Sequence, residues 1–440
     1  MIFIPKQVVT ALTMLSEAGF ESYIVGGCVR DQLLNRTPND YDITTNALPE
    51  QTQEIFREFK CINVGAQHGT VAVIIDKMQI EITTYRIDGE YNDNRHPDSV
   101  TFSSKIQDDL SRRDFTVNAM ACSKDGDIVD CFNGKSDLEN RIIRCVGEPD
   151  KRFGEDALRI MRAVRFASQL DFEIEPETEK YLFSLKDTLK HISAERLRVE
   201  LDKLLCGKAV FRVLLKYHEI IEVFIPEISR IIDFDRQGMH SHSLWENTAG
   251  SVEKAPINPV IRLTMLIHDI SEPECFSTDK KQEDNFENHQ LLGAQTAERI
   301  LKRLKYDNKT IKSVTTLIKY HHIKLKTRQD IKKLLSKTGP EMFRLLMDVQ
   351  KIDMLSENSG DSSYTNDISW AEKTAEDILN KHECLSIKEL DINGNQLMNE
   401  GYTGAAIGKL LNSMLEEVLE DRLENSYDSL IEYAEKSKNH

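Results

Sequence analysis

None of the eight cysteines stands in a C-x-x-C pair, so neither a cysteine zinc site nor a disulfide framework is indicated. Most read as small buried apolar residues. No run approaches the roughly 18–20 apolar residues that a membrane span requires. Met1–Pro5 also lacks the basic start and apolar core of a secretion signal, so a cytoplasmic protein with no membrane partner is expected. Positive charge is scarce too: 57 Lys and Arg face 73 Asp and Glu, a net charge of −16. That argues against a protein that coats nucleic acid non-specifically, and an RNA substrate would need a local basic surface within an acidic whole. What remains, 40% hydrophobic and 30% charged over 440 residues, describes a globular protein long enough for two to four domains.

The chain is organised around Tyr23–Asp42, YIVGGCVRDQLLNRTPNDYD. The apolar run Tyr23-Ile24-Val25 leads into Gly26-Gly27, where the backbone can take positive φ and approach a ligand without a Cβ in the way. A helix over Cys28–Leu34 would aim its first N–H groups and Arg30 back at the glycines, a cradle for phosphates. Asn39–Thr44 reads as a strand, which puts Asp40 and Asp42 on one face. Two like charges so placed repel unless a cation lies between them, and their hard oxygen donors suit Mg²⁺. A phosphate cradle beside a carboxylate pair fits metal-dependent nucleotidyl transfer.

Helical spacing marks residues 5–20 and 49–59; strands are expected at Cys61–Val64, Thr70–Ile75 and Met78–Tyr85, the last two joined as a hairpin at Asp76-Lys77. Glu81 on the second arm is the candidate third carboxylate beside Asp40 and Asp42. Arg86–Phe102 is polar, contains Gly89 and Pro97, and reads as a long mobile loop. Glu155–Phe166, EDALRIMRAVRF, reads as one helix with Asp156 and Arg159 three apart on one face.

Gly26-Gly27-Cys28-Val29-Arg30-Asp31 with Asp40-Tyr41-Asp42 resembles the first motif of the tRNA nucleotidyltransferases, the CCA-adding enzymes of the bacterial and eukaryotic class, a motif shared with bacterial poly(A) polymerases. Asp109–Ala121, DLSRRDFTVNAMA, resembles the second motif, and its Arg113, Asp114 and Asn118 match positions that face triphosphate or ribose and set nucleotide geometry. Asp130–Arg144 resembles the third motif, which links head and neck. The helix at Glu155–Phe166 resembles the fourth. In it, a carboxylate accepting from an exocyclic amine and a guanidinium donating to a ring nitrogen would accept C and A and reject U and G. By resemblance Arg162 and Arg165 lie near the nucleotide, and Gly27 and Arg30 cradle its phosphates. The Arg86–Phe102 segment resembles the flexible loop of full CCA-adding enzymes, which is shortened in members that add only the cytidines.

The resemblance implies a mixed α/β nucleotidyltransferase head over residues 1–145, then an all-α neck (146–215), an HD-related body (216–340) and a tail (341–440) that binds tRNA. Its partners would be tRNA, CTP and ATP; a homodimer is left open. His242, His268-Asp269, His289 and His321-His322 resemble the metal-binding HD fold, but Glu246-Asn247-Thr248 replaces the usual E-H-T. The expectation is therefore a body that has lost hydrolytic metal chemistry. Ser277–Asn288 reads as a polar surface insertion and Asn358–Asn366 as a polar linker. Within Lys302–Lys333, basic residues including Lys324, Lys326 and Arg328 face only two acids and are candidates for tRNA phosphate contacts. The rival readings are an A-adding enzyme acting on tRNA that ends in CC, a poly(A) polymerase, and an HD-type phosphohydrolase or non-catalytic RNA-binding protein. The acidic Glu416–His440 end speaks against the polymerase and the intact D-x-D against a relic head.

Overall fold

The computed structural model describes residues 2–63, 69–89, 99–232, 234, 243–275, 286–356 and 362–437. The chain divides into two compact units, Met1–Ser229 and Arg230–His440. The expected α/β head is present and the remainder is mostly helical, but the neck is not all-α: Glu173–Ile174 pairs in parallel with Ile142–Ile143 as a short two-stranded sheet.

The first unit holds a seven-stranded sheet formed by β1 (Ser22–Val25), β2 (Asp42–Thr45), β3 (Lys60–Ile62), β4 (Thr70–Ile75), β5 (Met78–Thr84), β8 (Met120–Cys122) and β9 (Ile128–Asp130), in the order β3-β4-β5-β2-β1-β8-β9. The short β6 (Arg86–Asp88) and β7 (Val100–Phe102) pair separately as an antiparallel ribbon. Central strands carry β-branched residues whose side chains are removed from water, among them Ile43, Thr44, Thr45, Val71, Val73, Ile80 and Ile82. Asp76 and Lys77 both take positive φ, the geometry a two-residue hairpin needs to match the twist of its strands.

Three local expectations are corrected. The strand expected from Asn39 begins only at Asp42, so Asp40 lies in the preceding exposed turn and the pair is not a strand alternation. The segment expected to be a loop from Arg86 to Phe102 closes its own base through β6 and β7, because Ile87, Val100 and Phe102 supply a strand pattern at its ends; residues 90–98 lie outside the described residues. The single helix expected over Glu155–Phe166 is two: Pro149–Glu155 and Leu158–Leu170, with Asp156 extended (φ −140°, ψ 102°) between them. Gly154 weakens the first helix at its end, and the Asp156 carboxylate accepts the Leu158 N–H (3.0 Å), a competing local bond that favours a helix start over continuation.

In the same unit, helix Leu158–Leu170 packs on helices Ala194–Leu205 and Val210–Glu222. Close approach is made possible by Gly207, where a Cβ would lie 1.9 Å from Ser168 Oγ.

The second unit is helical throughout its described residues. Helices Leu244–Lys254, Pro259–Ile267, Phe286–Arg303, Asn308–Tyr320 and Pro340–Ser356 pack together, and Gly394–Asn399, Ala405–Leu419 and Tyr427–Ser437 close around Leu397, Met414 and Leu430. His242, most of the Ser277–Asn288 insertion and the first part of the Asn358–Asn366 linker fall outside the described residues; a helix already begins at Ser362. Among the described residues no helix is long and apolar enough to cross a membrane. The basic stretch is also partly internal: Arg328 pairs with Asp377 (2.8 Å) and Glu383, and buried Lys332 with Asp421 (2.6 Å). Those cations tie helices together and are not available to phosphates, whereas Lys309, Lys312, Lys319, Lys324 and Lys326 are exposed.

Candidate active site

The site is built on the centre of the head sheet. Asp42 begins β2, with Val25 of antiparallel β1 on one side and Glu81 of parallel β5 on the other, each directly in register. Register partners project to the same face, so Glu81 stands beside Asp42. Burial, then the charge of Asp40, then Glu81 push the Asp42 carboxyl up to about 6, against the pull of Arg113. A cluster of carboxylate oxygens that resists ionising is a donor set suited to a hard divalent cation.

Gly26 ends β1 with φ +82°, and helix Gly27–Leu33 follows. A Cβ at Gly26 would lie 2.8 Å from Arg113 Nη1, so the glycine serves both the turn and the arginine. Arg30 leaves this helix to donate to Asp31 (2.7 Å) and, through Nη1, to Asn118 Oδ1 (2.7 Å). Asn118 in turn donates to Asp114 Oδ1 (3.1 Å), and Arg162 donates through Nε to Asp114 Oδ2 (2.7 Å). A continuous chain, Asp31–Arg30–Asn118–Asp114–Arg162, thereby joins the first, second and fourth motifs. Burial disfavours the Asp114 charge, but Arg162, the hydrogen bonds from Asn118 and Arg162, and Arg159 hold its carboxyl down at about 2.

Arg30, Arg162 and Arg165 all lie over the Phe166 ring, at 5.1, 5.4 and 4.0 Å from its centroid. Arg165 is bonded to buried Glu200 (3.1 Å); burial outweighs that attraction and, with Arg162 close by, brings the guanidinium down to about 10, still cationic at neutral pH. Three guanidiniums thus gather around one aromatic ring, each paired with a carboxylate, while the Arg113 Nε is buried with no hydrogen-bond partner among the described residues.

Asp156 and Arg159 are joined through the backbone, the Arg159 N–H donating to the Asp156 carbonyl (2.9 Å), but their side chains take other partners. Asp156 Oδ2 accepts from Arg196 Nη2 (2.7 Å), while Arg159 donates to Glu155 (2.5 Å) and to the carbonyls of Arg152 and Arg112 (both 3.0 Å). These bonds leave Arg159 with its Nε–H and one Nη2–H, and Asp156 with unused lone pairs.

Sequence reasoning missed the residues that hold these groups. Asp109 is fully buried, takes a two-point bond from Arg112 (2.9 and 2.7 Å), contacts Arg113 (3.3 Å) and accepts from Thr44 (3.1 Å). Its spacing of three and four to the two arginines was a usable signal. Glu155 had a similar one in Arg159. Arg196 and Glu200 had none, since their partners lie 40 and 35 residues away. Arg113 and Asp114 follow the end of helix Ile106–Ser111.

Comparison with known proteins gives a consistent outcome. Residues 22–144 match the family model of the poly A polymerase head domain, residues 171–232 that of a probable RNA and SrmB binding site of polymerase A, and residues 289–434 that of a putative tRNA nucleotidyltransferase domain 2. The chain is 35% identical to a CCA-adding enzyme of Lactobacillus helveticus over 96% of its own length and 95% of the relative's, and 33% identical to one of Streptococcus suis over 98% and 97%. Among solved structures it resembles the Bacillus stearothermophilus CCA-adding enzyme in complex with CTP, with a TM-score of 0.71 and 27% identity over 99% of both chains. With the motifs joined into one site and the similarity running the whole length of the chain, this protein belongs to the CCA-adding enzymes, the tRNA nucleotidyltransferases.

Proposed function

We propose that the chain adds C, C and A in turn to the 3′ end of tRNA, in the cytoplasm, drawing on CTP and ATP and releasing pyrophosphate, with protein side chains in place of a template. The observation that carries this reading is the Asp31–Arg30–Asn118–Asp114–Arg162 chain, which builds one nucleotide site out of three separated segments. Asp40 and Asp42, with Glu81 beside them, would hold Mg²⁺, a choice supported by the all-oxygen donor set and the raised Asp42 carboxyl. When bound, such an ion lowers the pKa of the attacking hydroxyl and neutralises the triphosphate.

The chain's own residues do the rest. The Gly26-Gly27 turn lets the triphosphate approach the backbone, and Arg30 and Arg113 offer it donors. Asp114 and Asn118 fix Arg30 and Arg162 in place, so that the anion meets donors already organised. The terminal 3′-oxygen of the tRNA attacks the α-phosphorus in line, the bond to the β-phosphate oxygen breaks, and pyrophosphate leaves. Asp156 accepts from the exocyclic amine of C or A and Arg159 donates to the neighbouring ring nitrogen; Arg196 and Glu155 hold the two side chains at fixed angles. The exposed lysines between Lys309 and Lys326 contact tRNA phosphates.

Extension of three tRNA transcripts, ending at the discriminator base, at C and at CC, tests the reading directly. With both nucleotides the shortest should grow by three residues. Addition of a single A to the CC transcript alone would make the chain an A-adding enzyme, and long A tails a poly(A) polymerase.

A further inference from the structure

Asp109 is an acid shut off from water that serves two arginines at once. It lies in helix Ile106–Ser111, where its Oδ1 accepts from Arg112 Nε (2.9 Å) and Nη2 (2.7 Å). Its Oδ2 accepts from Arg113 Nη2 (3.3 Å) and from the Thr44 hydroxyl (3.1 Å). Asp109 and Thr44 are both fully buried. Thr44 belongs to β2 and stands two residues beyond Asp42, so the two side chains share one face of the sheet. Asp109 is thereby seated on the face that carries Asp42 and, through the register, Glu81.

Arg113 needs such an anchor because of what lies on its other side. The bond to Asp109 engages Nη2 and leaves Nη1 against the turn at Gly26, the residue after Val25, which is itself the register partner of Asp42. Among the described residues Asp109 is the acceptor that this guanidinium bonds, and its Nε is buried with no partner. Its charge also reaches Asp42, whose ionised form it favours. A guanidinium matches a carboxylate with two parallel N–H bonds, so Asp42 is a second acid on which Arg113 can close. A bond of that kind would occupy the oxygens that a divalent cation requires. The spacing of four residues makes Asp109 a partner that the chain supplies locally, whatever ligand is bound.

We propose that Asp109 is a positioning residue that holds Arg113 at the Gly26 turn and keeps it from closing on Asp42, a role that rests on the reading of Asp42 as a metal ligand. Arg113 then stays available to the triphosphate, and the carboxylates of the head stay available to the cation. Without the charge of Asp109, Arg113 turns to Asp42, and arginine and metal compete for the same oxygens. The competing role is one of packing, in which Asp109 merely joins its helix to the sheet. Its loss would then lower stability without linking metal affinity to Arg113.

The test is direct binding of Mn²⁺ to the full chain without nucleotide, read from the electron paramagnetic resonance of the free ion. The component of binding that Asp42→Asn abolishes is assigned to the head. In Asp109→Asn that component should weaken roughly tenfold, the effect of one competing charge-assisted bond. Adding Arg113→Gln to Asp109→Asn should return it to the wild-type affinity or beyond. A packing defect is not repaired by a second substitution, so this recovery separates the two roles. Should Asp109→Asn fail to fold, Thr44→Val decides: it removes only the hydroxyl that seats Asp109, and should weaken head binding about threefold, again reversed by Arg113→Gln. Unchanged head affinity in the folded variant, or a weakening that Arg113→Gln does not reverse, would overturn the proposal. Equal Mn²⁺ binding by wild type and Asp42→Asn would overturn the metal reading itself, and the proposal with it.

Discussion

Two sets of carboxylates, one in each unit, behave in opposite ways. In the first, Asp42 sits among other acids and its carboxyl is pushed up to about 6. In the second, burial likewise opposes the charge on Asp269 and Asp353, yet His268 and the other imidazoles around them hold both carboxyls down. His268 mirrors this: burial disfavours its charge, but Asp269 and Asp353 lift the imidazole to about 9. The same side chain is thus set by its neighbours either to await a cation or to be balanced by groups of the protein itself. Asp114, also in the first unit, belongs to the balanced kind, since Arg162 supplies its counter-charge.

The largest effect should come from the unbalanced acid. Asp42→Asn should slow single-turnover incorporation of both C and A by roughly a thousandfold, the several kcal/mol expected of a lost metal ligand, while tRNA binding measured by filter retention stays nearly intact. Rapid turnover by this variant would remove Asp42 from the metal site.

A balanced acid should matter to folding first. Asp114→Asn leaves half-buried Arg162 beside a neutral partner and should cost roughly 1–3 kcal/mol in denaturant unfolding, the range for a charged hydrogen bond lost. Because its carboxyl is held down at about 2, Asp114 contributes stability above the ordinary carboxylate pKa, and that contribution fades as pH falls through about 2. An unchanged midpoint would show that the pair contributes nothing.

Asp42 has the reverse sign. The folded protein holds its proton more tightly than the unfolded chain does, so without added cation stability should fall as pH rises from about 4 to about 6. Protons and Mg²⁺ then compete, and apparent Mg²⁺ affinity in single-turnover assays should drop about tenfold for each pH unit below about 6. A flat profile there would remove the distinction between the two kinds of acid.

The smallest effect concerns the surface. Lys324→Glu with Lys326→Glu should weaken tRNA binding and flatten its salt dependence by about two in slope, leaving addition to saturating tRNA unchanged. The same changes at Arg328 and Lys332 should act on thermal stability instead, because those cations are spent on Asp377, Glu383 and Asp421.

Much of the candidate site was legible in the sequence because its residues come in short, chemically distinctive groups. The glycine pair with Arg30, the D-x-D, and Asp156 with Arg159 announce their chemistry within a few positions. What the sequence concealed depends on partners far along the chain. Whether Asp40 joins the strand depends on where β1 and β5 stop pairing with β2, and the break at Asp156 depends on a side chain capping its own successor. Arg196, Glu200 and Phe166 read as ordinary neck residues until the fold sets them against motifs from elsewhere. In the second unit the partners of His268 are likewise distant in sequence, Asp353 standing 85 residues away.

The account stands on the claim that side chains read the base. Its most direct measurement is the ratio of UTP to CTP incorporation by Arg159→Ala on a transcript ending at the discriminator base. With one donor removed, discrimination against U should fall by roughly tenfold to a hundredfold, the 1–3 kcal/mol of a good two-point base contact. If the variant excludes UTP as strictly as the wild type does, Arg159 does not read the base and the account fails at its centre.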